Sequence, residues 1–265
     1  VISEENAPAD YVASMQTSGK TVYMTAGSDL YAFDNIQSLD KQTIHVAKDV
    51  ACNIPEKFAI GNRNSGETNG SVLKLELEDG VKLTGSVSLY SADVIVKGSG
   101  DTSGFSCVPA NEQFEMTVNG ENGTYSCRMK ADAGGATLVK TDGTKTGYST
   151  VGGAISAADD NPGSVVVMNK NGSSTSTTKL GESVDVTLDL NGYNYTFTGT
   201  KKDGFQLTNG AKLKIINSDE SKTGTFIATG VRGTKANSAI LTKNPGGGTI
   251  VIGENVTVKG PIVLL

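Results

Sequence analysis

Apolar and polar residues alternate in short, well-separated runs. Val184, Val186, Leu188 and Leu190 alternate with Asp185, Thr187 and Asp189. A period of two puts the aliphatic side chains on one face of a strand and the polar ones on the other. Asn191-Gly192 ends the run, because both residues tolerate positive φ. A short strand follows through Tyr195 and Phe197, and Asp203-Gly204 turns the chain. Phe205 and Leu207 alternate again, Asn209-Gly210 makes the next corner, and Leu213 and Ile215 belong to the next strand. Short strands divided by Asn-Gly and Asp-Gly corners are what a coiled parallel sheet, or a tight β-meander, requires.

The same order of elements recurs in the two halves. Asp10 is placed to cap a short helix carrying Tyr11, Val12 and Met15, Gly19 ends it, and Thr21–Met24 reads as a strand. Ser149 or Thr150 caps a second helix with Val151, Ala154, Ile155 and Ala158 on one face, and Val165–Met168 is the strand after it. Each is followed by a polar connection and an alternating strand, Thr43–Val46 in one half and Val184–Leu190 in the other. This predicts two tandem units joined near Gly134 to Gly147, with boundaries at 1–145 and 146–265. A second internal match supports repetition. Leu77, Val81, Leu83, Gly85, Val87 and Leu89 fall in register with Ile252, Val256, Val258, Gly260, Ile262 and Leu264. Stacked units of this kind bury a continuous aliphatic column that none could bury alone.

Residues 112–130 depart from the pattern. Phe114, Met116 and Val118 form one strand, Asn119–Gly123 a turn, and Tyr125, Cys127 and Met129 the returning strand, a β-hairpin expected to project from the main body or to pack on one face of it. The Tyr125-x-Cys127 spacing also fits an immunoglobulin F strand, but the chain has no Trp to pack against a disulfide.

Composition narrows the class. Apolar residues make up 37% and aromatics 6% of the 265 residues, while Gly is abundant at 33, which suits a thin solenoid with many corners. The net charge of −5 and a pI near 5.0 argue against nucleic acid, whose phosphates require a concentrated basic face. No apolar run reaches transmembrane length. Gly260–Leu265 reads as a buried strand without a polar cap, so the polypeptide is expected to be part of a longer one. Cys52, Cys107 and Cys127 make no disulfide framework. Cys107 and Cys127 are the pair that would close one bridge under oxidising conditions; otherwise all three are small buried hydrophobes. No Cys-x-x-Cys pair or His cluster announces a metal, and no cofactor motif is present.

A resemblance enters on three segments: Tyr148–Ala158, Gly163–Met168 and Val186–Gly192. Together they resemble the start of right-handed parallel β-helix modules, of the pectate-lyase-like fold, in surface-exposed bacterial proteins. The resemblance covers about residues 146–265 and is weaker over 1–145. It implies an all-β fold, a right-handed parallel β-helix or solenoid of two tandem units with short capping helices. It also implies an extracellular or cell-surface location and an adhesin-like role.

Candidate chemistry is sparse. His45 is the one histidine, and nothing beside it in sequence supplies a nucleophile. No Gly-x-Ser-x-Gly elbow occurs. Asp185 and Asp189 are expected on the outward face of one strand, with Lys212 and Lys214 one coil away. Enzymes of the resembled fold place acids and bases on such a face, and the lyases among them add calcium. Here Asp185, Asp189 and Lys214 would be the catalytic set, against the plainer reading of solvent-facing charges of opposite sign. Tyr193 and Tyr195 are the aromatics nearest a corner and the candidates for stacking on a sugar, with Tyr195 expected to be half-buried beside Phe197. Asn191, Asn209 and Asn217 read as corner residues, able to form an amide ladder if they stack.

The expectation is a non-catalytic structural or adhesin-like module of a bacterial envelope protein, with a glycan or a host or cell-surface protein as partner. The alternatives are a polysaccharide lyase or glycoside hydrolase on a β-helix, and tandem β-sandwich binding modules.

Overall fold

The structure, a computed structural model, describes residues 21–24, 28–29, 42–54, 58–119, 123–182, 184–229, 238–243 and 247–265. The helix expected after Asp10 lies outside them. The chain divides into two compact units, Val1–Met129 and Lys130–Leu265. The division falls earlier than the expected 145/146 boundary, because the intervening hairpin pairs with the second unit, as set out below.

The first unit holds two sheets. One has the order β1 (Thr21–Met24), β3 (Gln42–Val46), β6 (Val72–Leu77), β8 (Ala92–Gly98), β11 (Thr124–Met129) and β10 (Phe114–Asn119). Its first four strands are parallel. The second sheet runs β2 (Ser28–Asp29), β4 (Ala51–Ile54), β7 (Lys82–Leu89) and β5 (Ala59–Ile60), with β9 (Asp101–Pro109) also on β7, all parallel. The expected hairpin forms, with Met116 opposite Cys127 and Val118 opposite Tyr125. It does not project. β11 adds antiparallel to β8 and extends the sheet, because its inward residues Cys127 and Met129 join the buried column of Leu73, Leu75, Leu89 and Val94.

The second unit opens with β12 (Ala136–Val139) and β13 (Lys145–Tyr148), an antiparallel hairpin whose first strand pairs with β14 (Ser164–Met168). Between them α1 (Val151–Ala158) is capped by Thr150, whose hydroxyl accepts from the Gly153 N–H at 3.1 Å. Its buried face is Val151, Ala154, Ile155 and Ala158. From there each strand pairs in parallel with the strand three places later. β14, β17 (Asp185–Asp189), β20 (Ala211–Ile216) and β23 (Gly248–Ile252) make one ladder. β15 (Gly172–Ser174), β18 (Asn194–Phe197), β21 (Gly224–Ala228) and β24 (Val256–Lys259) make a second. β16 (Thr178–Leu180), β19 (Phe205–Thr208), β22 (Ile240–Lys243) and β25 (Ile262–Val263) make a third.

The core of this unit is the column that the alternation predicts, with Val186, Leu188, Leu190, Leu213 and Ile215 fully buried. Tyr195, Phe205 and Phe226 pack at its centre, with ring centroids 5.1–5.8 Å apart. The corners follow the turn chemistry: Asn191, Asn209 and Asn255 take positive φ of 46°, 53° and 55°, each between two strands. The described chain is therefore all-β with parallel sheets, one helix and two units.

Candidate functional site

The outward row of β17 and β20 is where acid–base chemistry was expected. Strand register sets Asp185 beside Lys212 and Thr187 beside Lys214. The Lys212 Nζ lies 3.5 Å from the Asp185 carboxylate, with both side chains about half-exposed. A pair this open is worth about 0–1 kcal/mol.

Asp189 does not join them. It is only 5% exposed, and its Oδ1 accepts from the N–H groups of Asn191 and Ser218, both at 2.9 Å. The alternation puts it outward, but the strand ends there and the chain folds over it. Asp189 is a corner residue that ties two successive turns together. Its distance in sequence from Asn191 is that of an Asx-turn, in which a carboxylate accepts from the N–H two residues on. That signal was present in Asp189-Leu-Asn-Gly192. The set Asp185, Asp189 and Lys214 is therefore not assembled: Asp189 sits in the corner, opposite Ile216 rather than a lysine.

The asparagine corners are wired from turn to turn, though not as an amide ladder. Asn191 Nδ2 donates to the Met168 carbonyl at 3.1 Å, and Asn217 Oδ1 accepts from the Gly192 N–H at 2.6 Å. Asn217 Nδ2 donates in turn to the carbonyls of Asp219 and Lys222. A further clamp was not anticipated. Asp203, 4% exposed at the Asp203-Gly204 turn, accepts from both the N–H and the hydroxyl of Ser238, at 2.9 and 2.8 Å.

The tyrosines divide as well. Tyr195 is 2% exposed within the aromatic trio, more deeply buried than the half-burial expected, and cannot stack on a sugar. Burial pushes its phenol up from the ordinary range, opposed by the hydroxyls of Thr178 and Ser174. The cause is the inward parity it shares with Phe197, whose neighbour across the ladder is Ala228. Tyr193 is half-buried against the same core.

In the first unit, His45 lies beside Glu76 across the strand pair and is bracketed by two carboxylates. Its Nε2 is 2.7 Å from Glu78 Oε1, and its Nδ1 is 3.5 Å from Glu76 Oε2. The Glu78 contact raises the imidazole above its ordinary value. Glu78 is lowered in return, by His45 and then by the Lys48 N–H that its other oxygen accepts at 2.9 Å.

Cys107 and Cys127 are buried thiols not bridged to each other, so the Cys107–Cys127 bridge is not formed, and Cys52 is buried as well. Burial pushes the Cys107 thiol up to about 12 and the Cys127 thiol up to about 11. Neither holds a thiolate near neutral pH, which a nucleophile or a metal ligand requires. Three further carboxylates are displaced from their ordinary range by backbone and hydroxyl donors two residues along the chain. Asp101 and Asp142 are lowered chiefly by the N–H two residues on, and Asp219 by the Ser221 hydroxyl. Among the described residues, no three His, Cys, Asp or Glu side chains group as a metal site, and no helix is long and apolar enough to cross a membrane. Compared with family models, curated proteins and solved structures, the chain matches none.

Proposed function

We propose that this chain is a non-catalytic structural module, a parallel β-helix, belonging to a surface-exposed bacterial protein of adhesin-like character. Its partner is a glycan or a cell-surface protein. The β-helix reading is supported by the pairing of each strand from β14 to β22 with the strand three places later, which three-sided coiling produces. Sandwich modules would pair antiparallel strands in that region. The surface-protein reading draws on the resemblance of residues 146–265.

The observation that carries the non-catalytic reading is the use made of Asp189. The acid best placed to work with Asp185 is committed to two backbone N–H groups at a corner. A proton acceptor or nucleophile needs a free lone pair directed at substrate. The competing reading, a lyase or hydrolase, retains Asp185, Lys212 and Lys214 on the outward row, where the 3.5 Å contact pairs Asp185 with Lys212.

A turnover screen decides between them. The folded protein is incubated with polyuronates and neutral glycans, with and without calcium, and products are separated by chromatography. No product is expected on any substrate. Product on any one of them that is lost in Asp185→Asn would overturn the proposal and assign the chemistry to the outward row.

A further inference from the structure

Asn-x-Ser/Thr, with any residue but proline in the middle, is the triplet that takes an N-linked sugar. It occurs five times, beginning at Asn69, Asn122, Asn171, Asn194 and Asn255. The triplet is short and common, so its setting in the fold has to select a working site. The Asn carboxamide and the hydroxyl two residues on must be open on the same side of the chain. A strand supplies this when both fall on its outward parity.

Asn194-Tyr195-Thr196 meets that condition. It lies within β18, and Tyr195 is 2% exposed, so Asn194 and Thr196 point outward together. Asn194 is exposed and Thr196 half-buried. Among the described residues no hydrogen bond holds the Asn194 carboxamide or the Thr196 hydroxyl. On one side the pair meets Thr225 and Ile227 of β21. β15, β18 and β21 carry no charged residue, so a bulky neutral sugar would displace no ion pair of theirs.

The other triplets are set differently. Asn171-Gly172-Ser173 lies beside the first, with Gly172 opposite Tyr195 and Ser173 opposite Thr196. The Asn171 Oδ1 accepts from the Asn194 N–H at 2.9 Å, which holds that carboxamide along the sheet. Ser71, the hydroxyl residue of the Asn69 triplet, is 4% exposed. Asn255 takes the positive φ of a corner, ahead of β24, and lacks the strand parity. Asn122 lies outside the described residues.

We propose that Asn194 is an attachment site for an N-linked sugar on the folded chain, whatever partner the module binds. The donor is a sugar activated as a nucleoside diphosphate, brought by a soluble transferase. The bond from the sugar C1 to the diphosphate oxygen breaks, and the diphosphate leaves with the electron pair. The Asn194 Nδ2 forms the new bond to C1 and gives up one proton, with no oxidation or reduction. Neighbouring strands lie about 4.8 Å apart. One sugar on Asn194 therefore crowds Asn171, and the pair of triplets carries a single sugar.

Incubating the folded whole chain with a soluble N-glycosyltransferase and its nucleoside diphosphate hexose tests this, with a synthetic Asn-x-Thr peptide to show that the enzyme is active. Peptide mapping by mass spectrometry is expected to find one hexose on Asn194 and none on Asn171. Asn194→Gln and, separately, Thr196→Val are expected to abolish it while circular dichroism shows both variants folded. Thr225→Val, one strand away and outside the triplet, is expected to leave it in place. A folded chain without hexose on Asn194, from a reaction that modifies the peptide, would overturn the proposal. So would a hexose on Asn194 that persists in Thr196→Val.

Discussion

Two stretches of this chain follow one template and meet different fates. Leu77–Leu89, the end of β6 and all of β7, matches Ile252–Leu264, the end of β23 through β25, at every apolar position and at the corner glycine. In the first unit, β8 lies on β6 and β9 on β7, and Val81, Leu83, Val87 and Leu89 are fully buried. In the second, no described strand follows, and Val256 and Val258 are half-buried while Ile262 and Leu264 are exposed. An alternating pattern thus specifies which way a side chain points. It does not specify whether anything lies beyond it. Burial in a stacked fold is a property of the next layer, so the same residues are core in one place and surface in the other.

The largest expected effect comes from truncating the template where it is covered. Leu83→Ala is expected to cost about 3 kcal/mol, from lost transfer energy and a cavity that its packed neighbours cannot close. Val258→Ala, at the matching position, is expected to cost about 1 kcal/mol, because part of that side chain already meets water. Urea denaturation followed by hydrogen exchange in each unit gives the two values separately. Equal losses would show that the last layer is covered in solution.

The corner glycines give the second contrast. Gly85 has φ of 97°, and a Cβ there would run into the Ile54 carbonyl on β4, a backbone atom that cannot yield cheaply. Gly260 has φ of 150°, and its Cβ would meet the methyl groups of Ala239 and Ala228 at 2.9 and 3.0 Å. Both conformations are strained for an L residue, but a Cβ at Gly85 would overlap a backbone carbonyl oxygen, whereas the atoms nearest a Cβ at Gly260 stand further off. Gly85→Ala is expected to lower stability by about 2 kcal/mol or more, and Gly260→Ala by less than that. Thermal denaturation of the two variants orders them, and the reverse order would mean that β25 is held more rigidly than its exposure implies.

Much of this architecture was legible because its signals are local. Val184 to Leu190 alternates and folds as an alternating strand. Asn191 and Asn209 turn the chain with positive φ, and Thr150 caps α1 above a buried face made of the four residues its spacing selects. Parity along a strand also carried the essential information about Tyr195. What was missed depends on three dimensions. Asp189 has outward parity, but its place at the strand end turns it into a corner clamp that receives Ser218 from the following turn. Asp203 finds Ser238 at a separation that no local motif encodes. The hairpin of β10 and β11 was correct as a hairpin, yet its attachment to β8 depends on an edge that only the folded sheet presents. The candidate site suffered most, since a catalytic set is a coincidence of side chains from separate layers.

The smallest effect lies on the outward side of the same two stretches, and it is pH-dependent in only one of them. Beside β6 the outward row carries Glu76, with Glu78 just beyond it, and both face His45; beside β23 it carries Val251 next to Lys214. His45 is raised above 6.5 in the folded chain, chiefly by Glu78. Its contribution is therefore complete below pH 6.5 and is lost as the pH rises through the folded value. Glu78 is lowered below 4.5, chiefly by His45, so its contribution is present above pH 4.5 and is lost as the pH falls through its folded value. The two limits frame one interaction seen from its two partners, strongest between them. The first unit is expected to lose a little stability as the pH rises above 6.5, and His45→Gln is expected to flatten that decline. The change is small because Glu78 is exposed and screened by solvent. Hydrogen exchange of the β3 and β6 amides across a pH series, corrected for intrinsic exchange, separates this unit from the other. A decline of the same slope in the variant would assign it to other groups and leave the His45–Glu78 contact without energetic weight.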